Sequence, residues 1–138
     1  MFIHRHKVQF YETDLMGIVH HTNYLRFFEE ARVSWAHAKG MLDYQKPEAA
    51  AHFAVLETEV RHLLPAFFGD DLEIEIQAKM TGVRITFEYK MYCRSRSQGP
   101  VAQGRTQHAP LDSELRPIRP PDHIRLVFKE EPWIETWL

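Results

Sequence analysis

Apolar and polar residues change their period several times along the chain, and each change marks an element. In 83-VRITFEYKMYC-93, Val83, Ile85, Phe87, Tyr89, Met91 and Cys93 alternate with Arg84, Thr86, Glu88, Lys90 and Tyr92. A period of two held over that length predicts a strand with one apolar face. The run 72-LEIEIQAKM-80 alternates in the same way, and Thr81-Gly82 between the two predicts a hairpin turn. Residues 3–11 predict a first strand, and residues 54–64 and 101–111 predict two more. In the last of these, Ala102, Gly104 and Thr106 form a small-residue face onto which a bulky group can pack closely.

After the first strand the period lengthens. Tyr24, Phe27, Phe28, Ala31, Trp35 and Ala38 fall at i, i+3, i+4, i+7, i+11 and i+14, the stripe of one amphipathic helix. Thr22 or Asn23 suits its N-cap, and Lys39 and Gly40 suit its end. Arg26 with Glu30, and Glu29 with Arg32, have the spacing of surface salt bridges. A looser segment follows around Pro47, and from there the chain is strand-like to its end. Strand, helix, then about four antiparallel strands predict one α+β domain over residues 1–138. The aromatic stripe should lie across one face of a sheet that curls round it. The other face and the edges then need cover, which predicts a dimer or larger assembly.

Composition narrows the function classes. The formal net charge is -2, from 17 basic and 19 acidic residues, so there is no electrostatic footprint for nucleic acid or an anionic membrane. No apolar run approaches the roughly 18 residues that a membrane span requires. The start, MFIHRHKVQFYETD, lacks the apolar core of a signal peptide. A single cysteine, Cys93, cannot form an intrachain disulfide and fits a reducing, cytoplasmic setting. Its place on an apolar strand face makes it a small core residue. Nine histidines raise the question of a metal, with His4 and His6 on one strand face and His20 beside His21. No HExxH, Cys/His set or carboxylate cluster accompanies them, so hydrogen-bonding or surface roles are expected. The C-terminal 132-PWIETWL-138, with two tryptophans, is expected to cover a sheet edge or to pack in an interface.

Candidate chemistry concentrates in 11-YETDLMGIVHHTNYLRFFEEAR-32. Asp14 lies among Leu15, Met16, Ile18 and Val19, with Gly17 permitting a tight turn and the helix starting soon after. A helix start presents unpaired N–H groups and partial positive charge. A carboxylate followed by amide donors is the pair that acyl transfer needs, one to attack or activate water and one to hold the oxyanion. The apolar neighbours are expected to desolvate Asp14 in part and make it a better base. The competing reading takes Asp14 as a turn or capping residue.

This stretch resembles the signature of the hotdog-fold acyl-CoA thioesterases of the 4-hydroxybenzoyl-CoA thioesterase type. It is most similar to the bacterial branch that includes the Tol–Pal-associated thioesterases. Tyr11, Thr13, Asp14, Gly17, Val19, Asn23, Tyr24, Phe28, Glu29, Ala31 and Arg32 stand at that signature's places. Residues 63-LLPAFFGDDLEI-74 and 102-AQGRTQHAPLD-112 are similar to the family's link into its third strand and to its last long strand. The resemblance implies a hotdog fold, one long central helix wrapped by a curved antiparallel sheet of about five strands. It also implies hydrolysis of an acyl-CoA to free acid and CoA, with Asp14 as nucleophile or general base. The oxyanion donor then falls on the backbone N–H of about His21, whose side chain orients water or substrate. Gly17 and Tyr24 shape the substrate site, and Glu29 is structural. No metal or organic cofactor is implied, and a partner subunit completes the pocket in a homodimer or homotetramer. Arg84, Lys90, Arg94, Arg96 and Arg105 can meet CoA phosphates or form an ordinary solvated face. Two other functions compete: a non-catalytic acyl-CoA or lipid-binding dimer, and a hotdog hydratase or dehydratase. The His-and-acid arrangement of the hydratases is not found here, and the acyl chain stays open.

Overall fold

The computed structural model describes residues 1–46, 52–96 and 99–138. The expected looser segment at Pro47 lies outside them. Five antiparallel strands form one sheet in the order β1-β3-β4-β5-β2, with β1 Phe2–Lys7, β2 His52–His62, β3 Asp71–Thr81, β4 Arg84–Cys93 and β5 Ala102–Leu111. The helix α1, Asn23–Ala38, lies between β1 and β2 in sequence, and a second helix, α2, spans Asp122–Glu130.

The α1 stripe is buried as its spacing predicts, apart from Ala38, which is exposed in the last turn. Phe28 stacks on Tyr89 of β4 with ring centroids 4.5 Å apart, and Trp35 meets Phe87 edge-on at 5.2 Å. Such aromatic pairs add about 0.5–1.5 kcal/mol each beyond simple burial. Phe28 also fills the small-residue face of β5. A Cβ added at Gly104 would stand 2.4 Å from Phe28 Cε2 and 3.0 Å from the Glu59 carbonyl oxygen. The ring is held by Tyr89 and the carbonyl by the β2–β5 ladder, so neither yields easily. Gly104→Ala is therefore expected to destabilise the fold by about 1–3 kcal/mol, read as a lower urea midpoint at unchanged m-value.

Several expectations need correction. The first strand ends at Lys7, and Phe10–Glu12 forms a short 3-10 turn because the Glu12 carboxylate accepts the Gln9 N–H at 2.7 Å. The hairpin turn is Gly82-Val83 rather than Thr81-Gly82, since Thr81 pairs with Arg84. Val83 thus leaves the apolar face and is half-exposed. Among the described residues neither expected helix salt bridge forms. Glu30 turns to His4 and His6, and Arg32 donates to the Tyr89 hydroxyl. The chain is not strand-like to its end: Ile124 and Phe128 bury one side of α2, and Phe128 packs on Trp35 at 5.3 Å.

The outer sheet face is covered in part by the chain itself. Gln77 on β3 bonds both the N–H and the carbonyl of Ile134, Lys79 lies over the Trp133 ring, and Lys90 lies over the Trp137 ring. The C-terminal segment therefore covers a face of β3 and β4, not an edge. Beneath it Glu88 is 2% exposed and is paired with Arg105 and Gln77. Arg94 and Arg96 are likewise engaged within the chain, by Glu73 and Asp70.

Candidate active site

Between the 3-10 turn and α1 the backbone makes a tight hairpin. Thr13 bridges Val19, the Asp14 N–H donates to Ile18 at 2.8 Å, and the Gly17 N–H donates to the Asp14 carbonyl at 3.0 Å. Gly17 has φ +78°, the left-handed conformation that a side chain would strain. Asp14 serves this turn as well: its Oδ1 accepts the Met16 N–H at 2.8 Å. Its other carboxylate oxygen has no partner among the described residues. The turn role and the candidate chemical role thus fall on different oxygens.

The expected desolvation of Asp14 by all its apolar neighbours does not occur within one chain. Val19 is buried and Ile18 half-buried, but Leu15 and Met16 point outward, Met16 with 75% of its surface exposed. The reason is the turn itself, which places both residues at its tip.

At the start of α1 the capping differs from expectation. Thr22 holds the N-cap position without a side-chain cap. Its N–H instead donates to His20 Nδ1 at 3.2 Å, and its hydroxyl pairs with the same nitrogen at 2.8 Å. A nitrogen that accepts from an amide carries no proton, so the His20 proton is on Nε2. Asn23 is buried and its side chain reaches back to the Glu12 carbonyl at 2.8 Å. The His20 and Asn23 amides are also engaged, by the carbonyls of Glu12 and His20. The His21 N–H makes no hydrogen bond among the described residues.

Asp14, His21 and Tyr24 line one cleft of about 350 Å³, with Ile18, Val19 and Met16 beside them. Gly17 is not on its wall and acts only by shaping the turn. The opposite wall is His62, Leu63, Leu64 and Pro65, from the end of β2 and the loop after it. Sequence reading did not single these out as site residues. Their signal was the proline-containing link, but only the fold brings it against the start of α1. The Val19 N–H donates to the Ala66 carbonyl at 2.8 Å, and Arg96 fixes the loop through Asp70 and the Pro65 carbonyl.

Tyr24 is buried against His62, with ring centroids 4.8 Å apart. Burial pushes its phenol above the usual value, opposed by a backbone hydrogen bond at Ala66, so it lines the cleft as a neutral group. The His21 ring is exposed and stacks on His20 at 4.3 Å. Among the described residues no group of three or more His, Cys, Asp or Glu side chains is placed to hold a metal ion. His4 and His6 instead hydrogen-bond to Ser34, Glu30 and Glu12. Asp14 with a free carboxylate oxygen and His21 with a free amide, both without a partner among the described residues, thus line one open cleft.

Comparison with known proteins bears on this arrangement. The family described as the thioesterase-like superfamily matches residues 8–129. A candidate esterase of Aquifex aeolicus is 34% identical over 108 residues, covering 78% of this chain and 82% of that protein. A 1,4-dihydroxy-2-naphthoyl-CoA hydrolase of Synechococcus elongatus is 28% identical over 116 residues, covering 82% and 83%. The crystal structure of a hypothetical protein from Aquifex aeolicus superposes with a TM-score of 0.83 at 30% identity, over 93% of this chain and 99% of that one.

Proposed function

The chain belongs to the thioesterase-like superfamily and is a thioester hydrolase of hotdog-like fold, and from that premise we propose that it cleaves an acyl-CoA to free acid and CoA at Asp14. The observation that carries the reading is the shared cleft. Asp14, with one carboxylate oxygen uncommitted among the described residues, and His21, whose N–H has no partner among them, both line it. The thioester carbonyl lies between them. Asp14 either attacks the carbonyl carbon or takes a proton from the attacking water. Attack expels CoA thiolate as the C–S bond breaks, giving a mixed anhydride that water opens to the acid and the regenerated carboxylate. In the other route Asp14 passes the proton it takes from water to the departing thiolate. In both routes negative charge grows on the carbonyl oxygen, and the His21 N–H with the positive end of α1 stabilises it. The His21 ring orients water or substrate at the mouth of the cleft. Tyr24 and His62 form its aromatic wall, and Gly17 holds the turn that presents Asp14.

A single chain leaves this site open. Phe10, Tyr11, Leu15, Met16 and Phe68 are all strongly exposed around it, an apolar surface of the kind that a partner covers. A second copy closes the pocket, giving a homodimer or homotetramer, and it supplies the desolvation of Asp14 that Leu15 and Met16 fail to give within one chain. The reading places the protein in the cytoplasm.

The test is release of CoA thiol from a panel of short-chain, long-chain and aromatic acyl-CoAs, on protein whose mass is measured by sedimentation. Turnover of at least one class by a species of two or four copies is expected. Binding of acyl-CoA without turnover of any would replace the enzyme by the acyl-CoA-binding module.

A further inference from the structure

We propose that Glu12 is the positioning residue of this site: it ties the Asp14 turn to the start of α1, and so sets where the Asp14 carboxylate stands relative to the His21 N–H. The inference rests on the reading of Asp14 given above. Glu12 is a carboxylate only 7% exposed. Burying a charge is costly unless it is paired and hydrogen-bonded, so its partners matter. Its Oε1 accepts the Gln9 N–H at 2.7 Å and faces His6 Nε2 at 2.8 Å. His6 reaches through Nδ1 to Glu30 of α1 at 2.9 Å, with its ring 4.3 Å from that of Phe27. His4 braces the same helix, meeting Glu30 at 3.3 Å and Ser34 at 3.0 Å.

The other end of Glu12 is equally committed. Its main-chain carbonyl accepts the His20 N–H and the Asn23 side-chain amide, each at 2.8 Å. Asn23 is also 7% exposed, which keeps water from competing for this link. One residue therefore joins β1, the turn and α1. On one side the chain runs from Glu12 through Thr13 to Asp14, and on the other the His20 amide leads directly to His21. Movement of Glu12 shifts both members of the reacting pair. Glu12 itself is absent from the cleft wall, so it acts through Asp14 and not on the substrate.

The test is a double-mutant cycle on the full chain, with kcat and KM measured on protein shown to be folded by its far-UV spectrum. Glu12→Ala is expected to lower kcat about tenfold at unchanged KM, the scale of a misplaced catalytic group. Glu12→Gln should restore most of the loss, because its amide oxygen still accepts the Gln9 N–H. In the Asp14→Asn background, Glu12→Ala should cause no further loss, since there is no carboxylate left to position. If Glu12→Ala does not fold, His6→Ala removes one of the side-chain partners and should lower kcat about threefold in the same cycle. A wild-type kcat in the Glu12 and His6 variants, or the same loss with and without Asp14, overturns the inference. If Asp14→Asn itself turns over like wild type, the reading of Asp14 fails and takes this inference with it. If Asp14→Asn is impaired and Glu12→Ala is not, only the role of Glu12 falls.

Discussion

Asp14→Asn is expected to lower turnover of the best acyl-CoA by about a hundredfold or more, the usual worth of a positioned base. The substitution separates the two roles that Asp14 holds. Asparagine keeps the size and an oxygen that accepts the Met16 N–H, so the turn survives. It removes the charge and the lone-pair basicity that attack or proton removal requires. Folding stability should stay within about 0.5 kcal/mol of wild type, as for other substitutions that leave burial unchanged. Thiol-release kinetics beside thermal unfolding read both quantities. A variant that loses activity only as it loses stability would leave Asp14 a turn residue and nothing more.

The largest effect on stability should come from pH, through His108. This histidine is 1% exposed on β5, and burial lowers its pKa from 6.5 to about 4, with the Arg32 charge adding to the shift. The geometry agrees. Arg32 can only donate, and it donates to the Tyr89 hydroxyl at 3.2 Å. Tyr89 hydrogen-bonds the Thr106 hydroxyl at 2.7 Å, and that hydroxyl hydrogen-bonds His108 Nε2 at 2.9 Å. A proton added to His108 would put a second positive charge on the buried network that Arg32 already joins. Because the folded pKa is the lower one, the unfolded chain binds more protons between pH 6.5 and 4. The contribution of His108 is therefore whole above pH 6.5 and is lost as pH falls through about 4. The loss is at most about 3 kcal/mol. Urea unfolding at pH 7 and at pH 4 should show a smaller acid loss in His108→Gln than in wild type. Equal losses in the two would contradict this account.

Much of the fold was legible because its elements carry unmixed periods. The α1 stripe from Tyr24 to Ala38 and the alternation in β3 and β4 place those elements within a residue or so of their observed ends. The close approach at Gly104 was legible too, as a gap in side-chain size waiting for Phe28. What was missed follows from tertiary context. The spacing of Ile124, Val127 and Phe128 is helical, but the segment is short and its anchor, the Trp35 and Phe87 rings, is distant in sequence. The end of the first strand depended on Glu12 folding back to Gln9, which no alternation pattern encodes.

The candidate site divides in the same way. Asp14, His21 and Tyr24 stand close in sequence around one turn, so local motif reading brought them together, and they line one cleft. His62 to Pro65 complete that cleft only because β2 ends beside α1. The exposure of Leu15 and Met16 was not legible either, since both belong to an apolar run and only the turn geometry sends them outward.

Catalysis at Asp14 requires the thioester carbonyl to bind beside it, and a crystal structure of the Asp14→Asn variant with an intact acyl-CoA reads that position directly. The predicted result is a carbonyl oxygen within about 3 Å of the His21 N–H, with the carbonyl carbon facing the side chain at position 14. A thioester held away from the cleft of Asp14, His21 and Tyr24, with no contact to the His21 amide, would contradict it.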